Sequence, residues 1–502
     1  MEEKKNMPDN NVKAKKTIKD IIKVSISNII KLLSGVLVGF VLPRLIGITD
    51  YGYYKTFTLY ASYVGLFAFG IIDGIYLKYG GLDYKELSKS DFRFYTRILA
   101  LLHLVIAISG IGISLLFLSG EYKFIFVSIS CYLIFSNMTG YYQQVSQITG
   151  RFNELSTRNI IQSIFVSLSV IVIWLVNKLN GFVITYNIYL FIYVSIFAVL
   201  TLWYIITYKD ITFGSDKETH DKAKKIFNLI KIGFPLLIAN LCSTLILSMD
   251  RQFVNILWPV DETNNTYSIY AFAYNMLSLV TTATAAISTV LYPSLKRTSQ
   301  ETLKSNYSKL LAIIISLISC ALVVYYPLCW FVDWFLPKYH DSLMIFRIIF
   351  PGLITSSAIT IIMHNYYKVF GESFRFFIIT IIVLLISFVA NLIAYLIFKS
   401  VSAISIASII TMLIWYIISE FYFIRHYNVN WIKNFVFMIV MMGSFYVITF
   451  ISNYYIGFTM HFISIITLVY LFNLKDINVF IKRKLKSKKL NSKLKNDDIS
   501  EI

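Results

Sequence analysis

The run FRFFIITIIVLLISFVANLIAYLI, residues 374–397, decides the fold class. It contains a single charged residue, Arg375, and is otherwise almost entirely apolar. An α-helix rises about 1.5 Å per residue, so a run of this length crosses a hydrocarbon core of about 30 Å. The segment is therefore predicted to be a transmembrane helix.

Runs of similar length and character recur on both sides of it. With about fourteen of them in the chain, the predicted fold class is an all-α integral membrane protein. The predicted spans are residues 24–46, 53–79, 98–118, 124–148, 159–176, 183–208, 229–257, 268–291, 310–328, 342–366, 374–397, 401–424, 432–451 and 456–474.

The composition agrees with a membrane protein and excludes an ordinary soluble domain. Charged residues make up only 15% of the 502 residues and hydrophobic residues 57%, whereas soluble domains carry about 25% charge. The mean hydropathy is +0.67. The net charge of +19 is explained by basic loops on the cytoplasmic side, so we assign no nucleic-acid role.

Basic residues are distributed unevenly between alternate connections, and this sets the orientation. The loops on one side hold only Lys123, Lys178, Lys338 and Lys399. The C-terminal segment, residues 475–502, holds nine Lys and Arg residues, and residues 1–23 are also rich in lysine. Both termini are therefore predicted to be cytoplasmic, which requires an even number of spans.

A weak internal repeat predicts two lobes. The start of the seventh span can be aligned with the start of the first, so that Lys23 meets Lys231 and Tyr54 meets Tyr270. Two parallel six-helix lobes are typical of one class of transporters. The predicted organisation is a tail at 1–23, an N-terminal lobe at 24–208, a linker at 209–228, a C-terminal lobe at 229–424, two further helices within 425–474 and a basic tail at 475–502.

Three segments resemble a known family. They are LPRLIGITDYGYYKTFTLYASYVGLFAFGIIDGIYLKYGG at 42–81, GFPLLIANLCSTLILSMDRQFV at 233–254, and YAFAYNMLSLVTTATAAISTVLYPSLKR at 270–297. They resemble bacterial polysaccharide (Wzx-type) flippases of the multidrug/oligosaccharidyl-lipid/polysaccharide exporter superfamily.

The resemblance implies a function. It implies a flippase that moves undecaprenyl-diphosphate-linked oligosaccharide from the inner to the outer leaflet of the bacterial plasma membrane. The product would serve capsule, O-antigen (lipopolysaccharide) or exopolysaccharide synthesis. It implies membrane lipids and the lipid-linked oligosaccharide as ligands, with a polymerase or glycosyltransferases as candidate partners.

Ionisable residues at membrane depth cost free energy and are therefore candidates for the functional site. Cations could hold an anionic diphosphate, arginine through its planar fork and lysine as a point charge. The candidate cavity cations are Lys31, Arg44, Lys78, Lys231, Arg251 and Arg347. The candidate ion-coupling residues are Asp73, Asp250 and His364, and Glu420 is a further acidic residue at membrane depth.

Simpler explanations compete with these roles. Arg44, Lys78 and Lys231 lie close enough to helix ends for their charges to reach the headgroups. Asp250 could pair with a neighbouring cation to hold helices together. His364 could be an ordinary inner-end residue rather than a proton carrier.

No motif in the sequence indicates an enzyme, a nucleotide-driven pump, a cofactor or a metal site. G-x-x-x-x-G-K-[ST] and H-E-x-x-H are both absent, and no outer loop is long enough for a catalytic domain. We expect no cofactor. The alternatives that remain are a multidrug or metabolite cation antiporter of the same superfamily and a non-transporting membrane scaffold.

Overall fold

Within a bilayer the backbone finds no water, so its polar groups must be paired inside helices. In this computed structural model every regular element of the described residues is helical, which confirms the all-α fold. The structure describes residues 10–181, 184–217, 219–296, 298–427, 431–451 and 453–474. The predicted basic tail at 475–502 lies outside them.

The helices of the first part of the chain follow the predicted order. They are α1 (Asn10–Ile46), α2 (Ile48–Ala61), α3 (Ile71–Tyr79), α4 (Lys89–Phe117), α5 (Gly120–Ile148), α6 (Phe152–Asn180), α7 (Tyr186–Thr207), α8 (Lys209–Thr212), α9 (Lys222–Ile246), α10 (Met249–Leu257) and α11 (Thr266–Lys296).

The second part continues in the same way. Its helices are α12 (Gln300–Ala321), α13 (Tyr325–Phe335), α14 (Ser342–Ile349), α15 (Gly352–Ser357), α16 (His364–Val369), α17 (Ser373–Phe398), α18 (Val401–Tyr427), α19 (Ile432–Ile448) and α20 (Tyr454–Leu474).

Ten helices of the described residues are long and apolar enough to cross a membrane, or up to twelve if each of two bent helix pairs counts as one span. The remaining two predicted spans are helical as well, as α11 and the shorter apolar helix α19. The protein is thus a multi-pass membrane protein. One boundary differs, because α1 already begins at Asn10, inside the segment predicted as a tail.

The chain divides into two compact units, residues 1–275 (unit 1) and 276–502 (unit 2). The boundary falls within α11. The helices α9 and α10 belong to unit 1. There α9 packs against α3, and α10 contacts α2. The lobes at 24–208 and 229–424 stay a prediction from the sequence repeat.

The second predicted span, 53–79, is broken and not continuous. α2 and α3 are separated by a 3-10 segment (Val64–Ala68) and bent by 61°. Phe69 and Gly70 both have positive φ there, which costs little at glycine. The buried Asn137 of α5 donates to the carbonyl of Val64 at 2.9 Å, so this side chain replaces a helical partner.

The seventh predicted span, 229–257, is also interrupted. α9 ends at Ile246 and α10 begins at Met249. The guanidinium of Arg251 donates to the carbonyl of Leu247 at 2.9 Å, and the hydroxyls of Tyr63 and Ser248 are hydrogen-bonded. The interruption places two charged residues in the first turn of α10.

The packing of α3 on α9 requires glycine. A methyl group at Gly233 would overlap the carbonyl oxygen of Gly70 and the amide nitrogen of Gly74. A methyl group at Gly74 would in turn overlap the carbonyl oxygen of Leu229. The two backbones are therefore in direct contact, as small residues allow between membrane helices.

The linker between α7 and α9 is held against α4 and the segment before it. Arg93 of α4 donates to the carbonyls of Asp210 at 2.8 Å and Ser215 at 3.1 Å. Lys89 forms an ion pair with Asp210 at 2.8 Å. Partial burial raises the pKa of Asp210, but hydrogen bonds from Lys89 and Tyr84 outweigh it and hold that pKa below its ordinary value.

In unit 2 the tenth predicted span, 342–366, contains two irregularities. Pro351 separates α14 from α15, with a bend of 48° over the whole pair, because proline has no N–H to donate. The segment Ala358–Met363 is π-helical, a form that is rare outside functional sites and local insertions. The hydroxyl of Tyr446 donates to the carbonyl of Ile348 at 2.7 Å.

We predict that Gly233→Ala destabilises the protein by about 1–3 kcal/mol, because the added methyl group forces α9 away from α3. The measurement is the midpoint of thermal unfolding of the purified protein in detergent. Gly140→Ala is the control, since a methyl group there meets nothing within 4 Å and alanine favours the helix by about 0.5–1 kcal/mol. Equal midpoints for Gly233→Ala and the wild type would contradict the packing described.

Candidate functional site

A group of polar side chains lies inside unit 1, where α10 and α11 meet α1 and α2. Asp250 and Arg251 come from the first turn of α10, Lys55 from α2, and Tyr274 and Asn275 from α11. We call these five residues the unit 1 polar cluster.

Asp250 is 1% exposed, and its carboxylate is fully engaged. The hydroxyl of Tyr270 donates to Oδ2 at 2.7 Å, and the hydroxyl of Tyr274 donates to the same oxygen. The other oxygen accepts the backbone N–H of Arg251 at 2.7 Å. The carboxylate therefore fixes α11 to the start of α10 in this conformation, through tyrosine hydroxyls and a backbone N–H and not through an ion pair with a described cation.

Arg251 makes one hydrogen bond with its guanidinium, the bond to Leu247. Its Cζ atom lies 4.6 Å from the centroid of the Tyr274 ring. Its Nε is buried and has no hydrogen-bond partner among the described residues. No carboxylate of the described residues forms an ion pair with it. The guanidinium thus keeps donor capacity that no described residue uses.

Lys55 was not among the candidates from the sequence, and the structure places it against α11, one residue along from the contact of Arg251. Its Nζ lies 3.0 Å from Oδ1 of Asn275, whose amide nitrogen donates to the carbonyl of Gly39 at 2.9 Å. The ammonium also lies 5.2 Å from the centroid of the Tyr51 ring and 5.5 Å from that of Tyr54.

The two cations are thus held by neighbouring residues of one helix, Arg251 by Tyr274 and Lys55 by Asn275. None of the described acidic residues forms an ion pair with either. Cations at membrane depth without a carboxylate partner are costly unless an anion or water neutralises them. The arrangement can therefore bind an anion, with a planar donor and a point charge held by consecutive residues of α11.

The other predicted cations lie elsewhere. Lys31, Arg44, Lys78 and Lys231 are exposed in the described chain. Lys78 lies 5.2 Å from the centroid of the Tyr79 ring. Arg347 is half-buried in unit 2, with its Cζ 5.1 Å from the centroid of the Phe450 ring. The unit 1 polar cluster includes Arg251 alone of the six.

The remaining candidates for ion coupling differ in their surroundings. Asp73 is half-buried in the first turn of α3 and forms no ion pair with a described residue. His364 is stacked on Phe376, with ring centroids 4.4 Å apart and planes 17° apart. Their role in coupling stays a prediction.

No group of three or more His, Cys, Asp or Glu side chains that could hold a metal ion occurs in the described part of the chain. The cysteines are all free thiols. Cys242 and Cys329 are buried, Cys131 is half-buried and Cys320 is exposed.

Sequence reasoning missed Lys55, Asn275 and the tyrosines that surround them. One signal was available for Lys55, a lysine placed midway along an apolar helix in the quoted segment 42–81. No signal was available for Asn275, because a single asparagine in an apolar run does not show which residue it faces.

Known structures share this fold. A structure described as "Lipid II flippase MurJ, inward closed conformation" matches 93% of this chain and 100% of its own, with a TM-score of 0.65 and 15% identity. An inward-facing multidrug resistance MATE family transporter of the MOP superfamily matches 86% of this chain and 100% of its own, with a TM-score of 0.56 and 14% identity. A MOP superfamily transporter from Pyrococcus furiosus covers 82% of this chain and 96% of its own, with a TM-score of 0.53 and 14% identity.

The chain therefore has the fold of these transporters. None of the three named structures is of an enzyme, in agreement with the prediction from the sequence. No protein-family model matches the chain, and no curated protein sequence is significantly similar to it. The resemblance to polysaccharide flippases stays a prediction.

We predict that Tyr274→Phe lowers the free energy of unfolding by about 1–3 kcal/mol, because a hydrogen bond to a buried charged group is lost. The midpoint of thermal unfolding in detergent is the measurement, and Tyr455→Phe is the control because Tyr455 is 78% exposed. A variant as stable as the control would show that Asp250 does not depend on this hydroxyl.

Proposed function

We propose that the protein is a flippase for a lipid whose headgroup carries phosphate. The observation that carries the proposal is the pair of cations in unit 1, Lys55 and Arg251, held by adjacent residues of α11 with no described carboxylate paired to either.

The geometry of the pair suits a diphosphate. An arginine offers up to five donors in a planar fork and a lysine three donors on a compact charge. The buried and unpartnered Nε of Arg251 is a donor that a phosphate oxygen would satisfy. Charge-assisted bonds of this kind are roughly twice as strong as neutral ones.

The finer substrate class comes from the sequence and from one comparison. The segments at 42–81, 233–254 and 270–297 resemble polysaccharide flippases, which favours undecaprenyl-diphosphate-linked oligosaccharide for capsule, O-antigen or exopolysaccharide synthesis. The fold likeness to a protein described as a lipid II flippase supports a lipid-linked substrate. A polymerase and glycosyltransferases would then act with it in the bacterial plasma membrane, with both termini in the cytoplasm.

The other predicted cations are proposed to guide the headgroup to and from this pair. They are Lys31, Arg44, Lys78, Lys231 and Arg347. Cations at several depths would let the anionic headgroup move between leaflets while the prenyl chain stays in the lipid. The coupling ion is proposed to act through the acidic or histidine residues at membrane depth.

The alternative is a multidrug or metabolite cation antiporter, and the likeness to a multidrug resistance transporter fold keeps it open. Charge argues against it. The unit 1 polar cluster has two basic side chains, Lys55 and Arg251, and the single carboxylate of Asp250, a composition that disfavours a cationic drug.

We predict that Lys55→Ala and Arg251→Ala each reduce export of surface glycan about 10- to 100-fold, because one hydrogen bond to a charged group, about 1.5–3 kcal/mol, is lost. Lys31→Ala is expected to reduce export as well. The measurement is surface glycan together with inner-leaflet lipid-linked repeat units, in cells that contain only the variant. Lys55→Arg is expected to retain part of the activity.

Lys338→Ala is the matched control, since this lysine is exposed and lies in a predicted outer loop. Amounts of folded protein in the membrane must be equal for all variants. Full glycan export by both Lys55→Ala and Arg251→Ala would refute the site. Unchanged surface glycan with altered drug resistance on depletion of the protein would favour the antiporter.

A further inference from the structure

Unit 2 contains a carboxyl group that no part of the site above uses. Glu420 lies on α18 and is 1% exposed. Its Oε2 accepts the hydroxyl of Tyr307 on α12, which is likewise 1% exposed. The sequence places Glu420 at membrane depth but gives no partner for it.

The other oxygen of Glu420 is unsatisfied. Oε1 is buried without a hydrogen-bond partner among the described residues, and so is the hydroxyl of Tyr416, one turn earlier on the same helix. None of the lysine, arginine and histidine side chains that the structure describes forms an ion pair with Glu420. A carboxylate in this position would be an isolated buried charge.

Among the described residues, the titratable groups that interact with Glu420 are tyrosines. Tyr307 faces it from α12, Tyr416 from its own helix and Tyr367 from α16. The hydroxyl of Tyr367 is engaged elsewhere, donating to the carbonyl of Ser419 at 2.9 Å. Phe423 closes the site by stacking on Tyr307 with ring centroids 4.5 Å apart. Tyrosines are neutral near pH 7, so no neighbour compensates a negative charge.

Two states of the carboxyl group can be compared on this basis. An unpaired carboxylate in an apolar interior costs many kcal/mol, so such a group takes up a proton instead. The neutral acid avoids that cost. Protonation of Oε1, the oxygen without a hydrogen-bond partner, turns it into an O–H group that can donate a hydrogen bond. A hard divalent cation is a poor occupant, since calcium takes six to eight oxygen ligands and magnesium six, whereas this site offers one carboxylate and a few hydroxyls.

The site of Glu420 also borders a segment whose irregular helical form suits a conformational change. The π-helical segment Ala358–Met363 contacts both α12 and α18, the two helices that carry Tyr307 and Glu420. Local π-helical turns are frequently functional, and a shift of α12 relative to α18 would admit water to the carboxyl group.

We infer that Glu420 is a proton-binding site that couples transport to a proton gradient. In this conformation the group is the neutral acid. When α12 and α18 separate, its O–H bond breaks, the proton passes to water and a carboxylate remains; the reverse step takes one proton from the solvent. The coupling role rests on the proposed function, whereas the protonation of Glu420 does not.

The first experiment is infrared spectroscopy of the full-length protein in lipid vesicles at neutral pH. We expect a carbonyl stretching band of a buried neutral carboxylic acid that disappears in Glu420→Gln and shifts in Tyr307→Phe, which removes one hydrogen bond. Glu301→Gln is the control and should leave the band unchanged, because Glu301 is exposed. Glutamine imitates the neutral acid, so we expect the variant to fold.

An identical spectrum for Glu420→Gln and the wild type would overturn the proton site. If Glu420→Gln fails to fold, the absence of any band shift in Tyr307→Phe overturns it instead. Neither result depends on transport of any substrate.

The second experiment tests coupling by glycan export in cells with and without a protonophore. We expect Glu420→Asp, which retains a carboxyl group, to keep protonophore-sensitive export, and Glu420→Gln to lose it. Export by Glu420→Gln with the same protonophore sensitivity as the wild type would overturn the coupling role. If the wild type exports no glycan while the infrared band responds as expected, the proposed function fails and the proton site stands.

Discussion

The cost of placing a charge in an apolar surrounding is the constraint on which this structure depends. In unit 1 the side chains of one helix, α11, form the hydrogen bonds that stabilise the buried charged groups. Tyr270 and Tyr274 of α11 bond to the carboxylate of Asp250, and Asn275 bonds to the ammonium of Lys55. Both oxygens of this carboxylate accept hydrogen bonds, whereas Nε of Arg251 has no partner among the described residues, and the proposed affinity for a phosphate group rests on this difference.

Interrupted helices are what bring these groups together. A helix that stops inside an apolar medium leaves carbonyls that need donors. Asn137 supplies one at Val64, Arg251 one at Leu247 and Tyr446 one at Ile348. Each of these donors is a side chain that lies outside the helix that ends at the break. The position of each break therefore depends on where that side chain lies. The break before α10 is the most consequential, because it aims Asp250 and Arg251 toward α11.

Unit 2 handles a buried charge in the opposite way. Glu420 has tyrosines and no cation around it among the described residues. Binding a proton therefore costs less free energy than keeping an unpaired carboxylate buried. The proposed anion site in unit 1 and the proposed proton site in unit 2 are the two kinds of site that a proton-coupled transporter of anions requires. The fold shared with MOP superfamily transporters is compatible with both.

The sequence by itself determined the membrane class and the all-helical fold, and it showed which charged residues lie within apolar runs. Apolar runs such as 374–397 are long enough to cross the bilayer. They must then be helical, because backbone N–H and C=O groups without hydrogen bonds are excluded from the bilayer. It also singled out Asp250, Arg251 and Glu420, because a charge within an apolar run is visible without a structure.

Only the tertiary structure decided which charges have partners. Lys55 pairs with Asn275 across 220 positions of sequence, and Tyr307 reaches Glu420 across 113. The breaks at 62–70 and 247–248 were likewise not readable, because Asn137 from another helix bonds to the carbonyl of Val64 and the hydroxyl of Tyr63 bonds to that of Ser248. The physical reason is that hydropathy is a property of single residues, whereas compensation of a buried charge is a property of pairs that folding alone brings together.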